Sequence, residues 1–261
     1  MAWYKIVAKL SHISFRINKK IYNFLEALLS GFWLGVMSEK SIEYSDELFY
    51  NATDHYVDDK YNESGLFRWE QAMIDKHFTQ VRKILLIAAG GGRETLTLQR
   101  MGYEVDSYEC NPRLIEYANT LLRKNGIEKK IEYLPGSSVP ERITEYDGII
   151  IGWGAYSLIP GTGKRLSFLE GLNPFLAKDA PLLISFLWTR NRGSNDKIIK
   201  SVANFFRILM RREKAEYGDR LVPDFIHYFT EEEIKKELTL AKYRITDYSS
   251  SDYGCIIAQK K

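Results

Sequence analysis

The chain has 261 residues, of which 45% are hydrophobic and 27% charged. Those proportions suit one large domain with a real core and exclude general disorder. A net charge of +3 gives no ground by itself for nucleic-acid binding, and two cysteines cannot make a disulfide scaffold.

The start is basic, with Lys5, Lys9, Arg16, Lys19 and Lys20 set against Glu26 alone in residues 1–38. Within it Ile17, Ile21, Leu25, Leu28, Phe32 and Val36 recur at helical spacing. The broad apolar face favours packing on the core or on a second copy over a membrane, and residues 15–37 are left to either a homodimer contact or a weak membrane contact. The most apolar window, 21–37, is short for a span and holds Asn23 and Glu26. The start also lacks an apolar core with a small-residue cleavage site, so no secretory signal and a cytoplasmic location are expected. Residues 43–75 reverse the charge, with nine acids against Lys60 and Arg68. Inside them, 50–70 mixes Tyr50, Tyr56, Tyr61, Phe67 and Trp69 with acids. This stretch reads as a long, largely unpatterned connection, either a lid over a ligand or a packed cap.

From residue 83 strands and helices alternate. Lys83–Ala88 is an apolar strand; Gly90, Gly91 and Gly92 follow, then a short helix that Gly102 ends. Tyr103–Glu109 is a second strand. Asn111 then caps a helix with Pro112 at its first position, and Gly126 ends it. Ile131–Leu134, residues 146–153 and residues 180–188 are further strands, with a helix over Arg165–Leu176. Helices are expected over Asp196–Glu213 and after Thr230, which forms a capping-box pattern with Glu233. Strands Tyr243–Ser249 and Tyr253–Gln259 are joined by a link too short for a parallel crossover, so they predict a hairpin and one antiparallel strand. Cys110 and Cys255 both fall in strand-like sequence and read as buried free thiols.

Three glycines beyond a buried strand invite a ligand to approach the backbone. A dinucleotide fingerprint would need a glycine where Arg93 stands, and a P-loop would need Gly-Lys-Ser/Thr, which is absent. The pattern instead resembles the class I S-adenosylmethionine-dependent methyltransferases over about residues 80–261. In that family a glycine-rich turn ends the first strand, an acid ends the second, and a hairpin closes the sheet. The resemblance implies a Rossmann-like three-layer α/β sandwich with a mostly parallel seven-stranded sheet and one antiparallel strand from the C-terminal hairpin. Residues 1–80 would form a helical N-terminal extension and lid, and 81–261 the cofactor-binding domain.

The resemblance also implies site residues. Ala89, Gly90 and Gly91 match the turn under the methionine part of S-adenosylmethionine, and Glu109, nineteen residues after Gly90, would meet the ribose hydroxyls beside Cys110. Ser137 and Ser138 would lie near the adenine, and Gly152 near the donor methyl. The family often has an acid and a glycine where Leu86 and Ala88 stand, and Asp where Ser137 and Ser138 stand. Arg93 and Glu94 could replace the first lost contact by pairing with the cofactor's carboxylate and amino group.

Trp153, Tyr156, Arg190 and His227 are candidates to line the acceptor pocket. His227 is a candidate base, although a loop histidine bonded to backbone is the commoner case. No base is required by an acidic acceptor, so no catalytic residue is assigned. No Asn-Pro-Pro-Tyr motif is present, and no nucleic acid is expected; a small molecule is the expected acceptor. Three rivals remain. An aminopropyl transferase would want carboxylates after the fourth strand, where "GWGAYSLIP" has none, and a non-catalytic subunit would bind the cofactor without turnover. A peripheral membrane enzyme would use Lys5–Lys20 as an anchor.

Overall fold

The computed structural model describes residues 3–251 and 253–261. Asp252, in the expected hairpin link, lies outside the described residues.

Seven strands form one sheet: β1 (Lys83–Ile87), β2 (Glu104–Glu109), β3 (Ile131–Tyr133), β4 (Gly148–Ile151), β5 (Leu182–Phe186), β8 (Tyr243–Ser249) and β9 (Gly254–Lys260). Their order is β3-β2-β1-β4-β5-β9-β8. β1 to β5 pair in parallel, and β9 alone runs antiparallel to both of its neighbours. This is the expected sheet. The chain winds outward from β1 to β3 and then returns to β4. A crevice therefore opens beyond the carboxyl ends of β1 and β4, the place where such sheets bind ligands.

Alternation along β1 builds both layers. Leu85 and Ile87 face a core completed by Phe168, Leu169 and Leu172 of α7 (Thr162–Leu172) and by Ile234 and Leu238 of α9 (Glu231–Leu240). Ile84 and Leu86 face the opposite core with α4 (Arg68–His77), α5 (Arg93–Arg100) and α6 (Pro112–Lys124). Strands buried on both faces need continuous apolar runs, which β1, β4 and β5 supply.

The N-terminal extension is more regular than expected. It comprises α1 (Trp3–Val36), α2 (Glu39–Ala52), α3 (Asp59–Asn62) and α4, with a short 3₁₀ turn at Asp54–Val57. The stretch 50–70 is thus a series of short helices, not an unpatterned connection. Its sequence hid this because each piece is too short to show periodicity. The last ten residues of α1 dock on α8 (Ser194–Leu209) through small residues. A Cβ on Gly31 would stand 2.8 Å from the Ile199 carbonyl oxygen, and one on Gly35 would stand 2.8 Å from Cβ of Phe206. A two-stranded ribbon, β6 (Asp219–Leu221) and β7 (Phe225–His227), packs beside them and was not foreseen. Cys255 is buried as expected, whereas Cys110 is exposed because it lies just past the end of β2.

Candidate functional site

The turn after β1 is built by left-handed backbone. Ala88, Gly90 and Gly92 have φ of 61°, 54° and 96°. Ala88 occupies the position where the resembling family often carries glycine, and it adopts the left-handed conformation in spite of its Cβ, at roughly 1–2 kcal/mol. Ala89 is buried, its N–H donating to the Tyr108 carbonyl at 2.9 Å. Gly152 closes the turn from the β4 side: its N–H donates to the Ile87 carbonyl, and a Cβ there would stand 2.0 Å from the Ala88 oxygen.

Glu109 joins the ends of β1 and β2. Its Oε2 accepts the Gly90 N–H at 2.8 Å, and its Oε1 accepts the N–H groups of Cys110 and Asn111 at 2.8 and 3.0 Å. Oε2 therefore keeps acceptor capacity for one more donor. A Cβ built on Gly90 would meet nothing within 4 Å, so this side of the turn faces open space.

The extension covers the neighbouring glycine. A Cβ on Gly91 would stand 2.1 Å from the Tyr56 carbonyl oxygen and 2.7 Å from Oδ1 of Asn62. Asn62 is fully buried, donates to the carbonyls of Tyr56 and Asp58, and leaves Oδ1 without a partner. Asn111 donates to the Asn51 side chain, and Arg113 binds the Asn51 carbonyl and Asp54.

Arg93 fastens this cover. Its guanidinium binds both oxygens of Glu70 at 2.6 and 2.7 Å, Glu94 at 2.7 Å and the Gly65 carbonyl at 2.9 Å, above the Phe67 ring. Arg93 is 2% and Glu70 4% exposed, so a ligand carboxylate would have to displace Glu70. Burial pushes the Glu94 carboxyl up to about 7 against the attraction of Arg93, and Glu70 adds to the rise. Glu94, Trp69, Gly152 and Trp153 line a cavity of about 10 Å³.

The other expected residues divide. Trp153 is 38% exposed at the end of β4, its ring 5.7 Å from Phe67 and 5.4 Å from Tyr253. Tyr156 does not share that rim. It is fully buried, stacks on Phe229, and donates to Glu237 at 2.7 Å within a network that also holds Arg165. His227 is also fully buried, with Nδ1 2.6 Å from Asp219 and Nε2 without a partner. Glu216 completes a possible metal-ligand trio with those two, but Arg165 already binds it at 2.6 Å, a cation where a metal would have to sit. Arg190 is exposed, and Ser137 and Ser138 form a turn in which Ser137 has φ 59°.

Sequence reasoning overlooked Asn62, Glu70 and the acids Asp46 and Asp224. Asp46 accepts the Phe225 N–H at 2.8 Å and Asp224 is 6% exposed, so α2 and the β6–β7 ribbon bring acids 178 positions apart together. Burial lifts Asp46 to about 7, with Asp224 adding to the rise against the Phe225 bond.

Neither a protein-family model nor a curated protein matches the chain by sequence. Solved structures do match. A methyltransferase from Methanosarcina mazei aligns at TM-score 0.56 and 22% identity, over 75% of this chain and 98% of its own. The 1,6-didemethyltoxoflavin-N1-methyltransferase of Burkholderia thailandensis, with its substrate and S-adenosylhomocysteine bound, aligns at 0.62 and 16%, over 87% and 92%. An amino pentose methyltransferase from Micromonospora echinaspora, bound to S-adenosylmethionine, aligns at 0.51 and 11%, over 84% and 97%.

The chain has the class I methyltransferase fold. Within this methyltransferase fold the turn at Gly90–Gly92 and Glu109 occupy the sheet's switch point, and residues 51–70 pack against it.

Proposed function

We propose that the protein is an S-adenosylmethionine-dependent methyltransferase acting on a small-molecule acceptor. The observation that carries this is Glu109. It is fixed by three backbone N–H groups, and an oxygen with spare acceptor capacity stands beside the open face of Gly90. That arrangement fits a ribose hydroxyl, because a carboxylate held by fixed donors needs no reorganisation to accept another hydrogen bond. When bound, the cofactor supplies a methyl group already activated on a sulfonium.

The chain's own residues would then orient, cover and exclude water. Gly90, beside open space, would admit the cofactor close to the backbone, and the Ser137–Ser138 turn after β3 would take its adenine end. Glu94, buried beside Gly152 and Trp153, suits the cofactor's ammonium, whose charge would draw its raised carboxyl back to the ionised form. Arg93 is reassigned from the cofactor to the cover, because Glu70 already takes its guanidinium in a bidentate pair. Trp153, Phe67 and Tyr253 form the aromatic rim for the acceptor, whereas Tyr156 and His227 pack on Phe229 in the core. Holding an acceptor atom in line with the methyl and removing water are the principal contributions such a rim can make. The small acceptors of the toxoflavin and amino pentose enzymes, which share the fold, support a small molecule here.

Calorimetric titration with S-adenosylhomocysteine tests the reading. Saturable binding that Glu109→Ala weakens, with no comparable binding of NAD, is the expected result. NAD binding in its place would overturn it, and cofactor binding without turnover on any acceptor would favour a non-catalytic subunit.

A further inference from the structure

The first 24 residues of α1 from Trp3 stay almost wholly exposed, reaching away from the body before the helix docks on α8. This is unusual for their composition. At 100° per residue, Trp3, Val7, Leu10, Ile17, Ile21, Leu25 and Phe32 fall on one stripe. They are from 36% to 74% exposed. Tyr4, Phe15, Tyr22 and Trp33 lie along one edge of that stripe, each at least half exposed. On the opposite face stand Lys5, Lys9, His12, Arg16, Lys19 and Asn23, and the same face continues as Ala27, Ser30 and Leu34, which are buried against the protein. The body therefore sits on the polar side of the helix, and the apolar stripe faces away from it from Trp3 to Leu25, until Phe32 meets α8.

A second patch extends the stripe. Phe32 packs on Phe206 of α8 at 5.1 Å, and beside it Phe205, Ile208 and Leu209 are 60–71% exposed, followed by Arg211 and Arg212.

We propose that α1 lies flat on an anionic lipid bilayer, its apolar stripe among the acyl chains and the body on the water side. Charge complementarity selects this occupant. Lys5, Lys9, Arg16, Lys19 and Lys20 meet no carboxylate among the described residues, and the helix carries a single acid, Glu26. A helix is about 10–12 Å across. Long lysine and arginine stems on its far side can therefore reach toward the headgroups within about one Debye length, roughly 8–10 Å at physiological salt. Tyrosine and tryptophan along the stripe's edge have the amphipathic rings that the interface favours. The stripe covers about half the circumference, wider than the two-position seam that joins helices of a coiled coil. No helix among the described residues is long and apolar enough to cross a membrane, which fits lying on the surface rather than spanning it.

Co-sedimentation of the full chain with vesicles tests this. It should bind vesicles of phosphatidylcholine mixed with phosphatidylglycerol, release at high salt, and bind pure phosphatidylcholine at least tenfold more weakly. Lys9→Glu, Arg16→Glu and Lys19→Glu combined should lower anionic binding by about a hundredfold or more. Leu10→Ser, Ile17→Ser and Ile21→Ser combined should abolish sedimentation. Both variants alter only exposed positions, so their melting temperatures should match wild type. Failure to bind anionic vesicles would overturn the proposal, as would a dimer in light scattering that the serine variant dissolves, which would assign the stripe to a second copy. Equal binding to both vesicle types would overturn the role of the basic face.

Discussion

Replacing Arg93 with Met should unfasten the cover from the glycine turn and reveal how it is held. The substitution keeps the aliphatic stem but removes the cation from two buried carboxylates, Glu70 and Glu94, and from the Gly65 carbonyl. Breaking a buried pair by deleting one partner typically costs about 3–5 kcal/mol. Protonation limits that loss. Keeping one stranded carboxyl neutral at about pH 7.5, against an ordinary value near 4.3, costs roughly 4 kcal/mol, and at about pH 5.5 roughly 1.6 kcal/mol. The sign follows from the raised folded-state pKa in the variant: stability is retained at low pH and lost as pH rises from the unfolded value through the folded one. Urea denaturation at both pH values should therefore show a deficit of about 4 kcal/mol shrinking to about 1–2. The melting temperature at the higher pH should fall by roughly 8–16 °C. The double variant Arg93→Met/Glu70→Gln should recover part of the loss. A deficit below about 1 kcal/mol, or one independent of pH, would refute the buried latch.

Three further outcomes are expected. Glu109→Ala should weaken S-adenosylhomocysteine binding by about 1–3 kcal/mol and also lower stability, because three backbone N–H groups lose their acceptor; unchanged calorimetric affinity in a folded variant would remove Glu109 from the site. Gly91→Val places a side chain against the Tyr56 carbonyl, so hydrogen exchange should show protection lost over residues 54–62 while the sheet strands keep theirs; normal protection in 54–62 would mean the cover does not rest on this turn. Asp46, lifted to about 7, adds stability at low pH that disappears as pH rises from its ordinary value toward about 7. Asp46→Asn keeps an acceptor for Phe225 and, allowing for partial exposure, should gain about 1–2 kcal/mol on wild type between about pH 5 and pH 8 in urea melts; parallel pH profiles would contradict the raised value.

The amino-acid sequence alone determined the sheet and its ligand edge, because those signals are local. Apolar runs bounded by Gly102, by the Asn111–Pro112 cap and by Gly126 specify strands and helices without reference to anything distant. The nineteen-residue interval from Gly90 to Glu109 follows from one helix and one strand between them, so the spacing alone brings these two candidate residues together, where Glu109 accepts the Gly90 N–H. The tertiary structure decided everything that depends on segments distant in sequence. Arg93 has the pattern of a ligand contact until Glu70, twenty-three positions earlier, arrives to neutralise it. Tyr156 reads as a rim aromatic until Phe229 and Glu237 close over it. The pairing of Asp46 with the β6–β7 ribbon and the docking of α1 through Gly31 and Gly35 lie beyond any local window. Periodicity shows that a helix has an apolar face, but which side of that helix meets the body is fixed only by contacts made across the fold, and those leave the stripe of α1 facing outward.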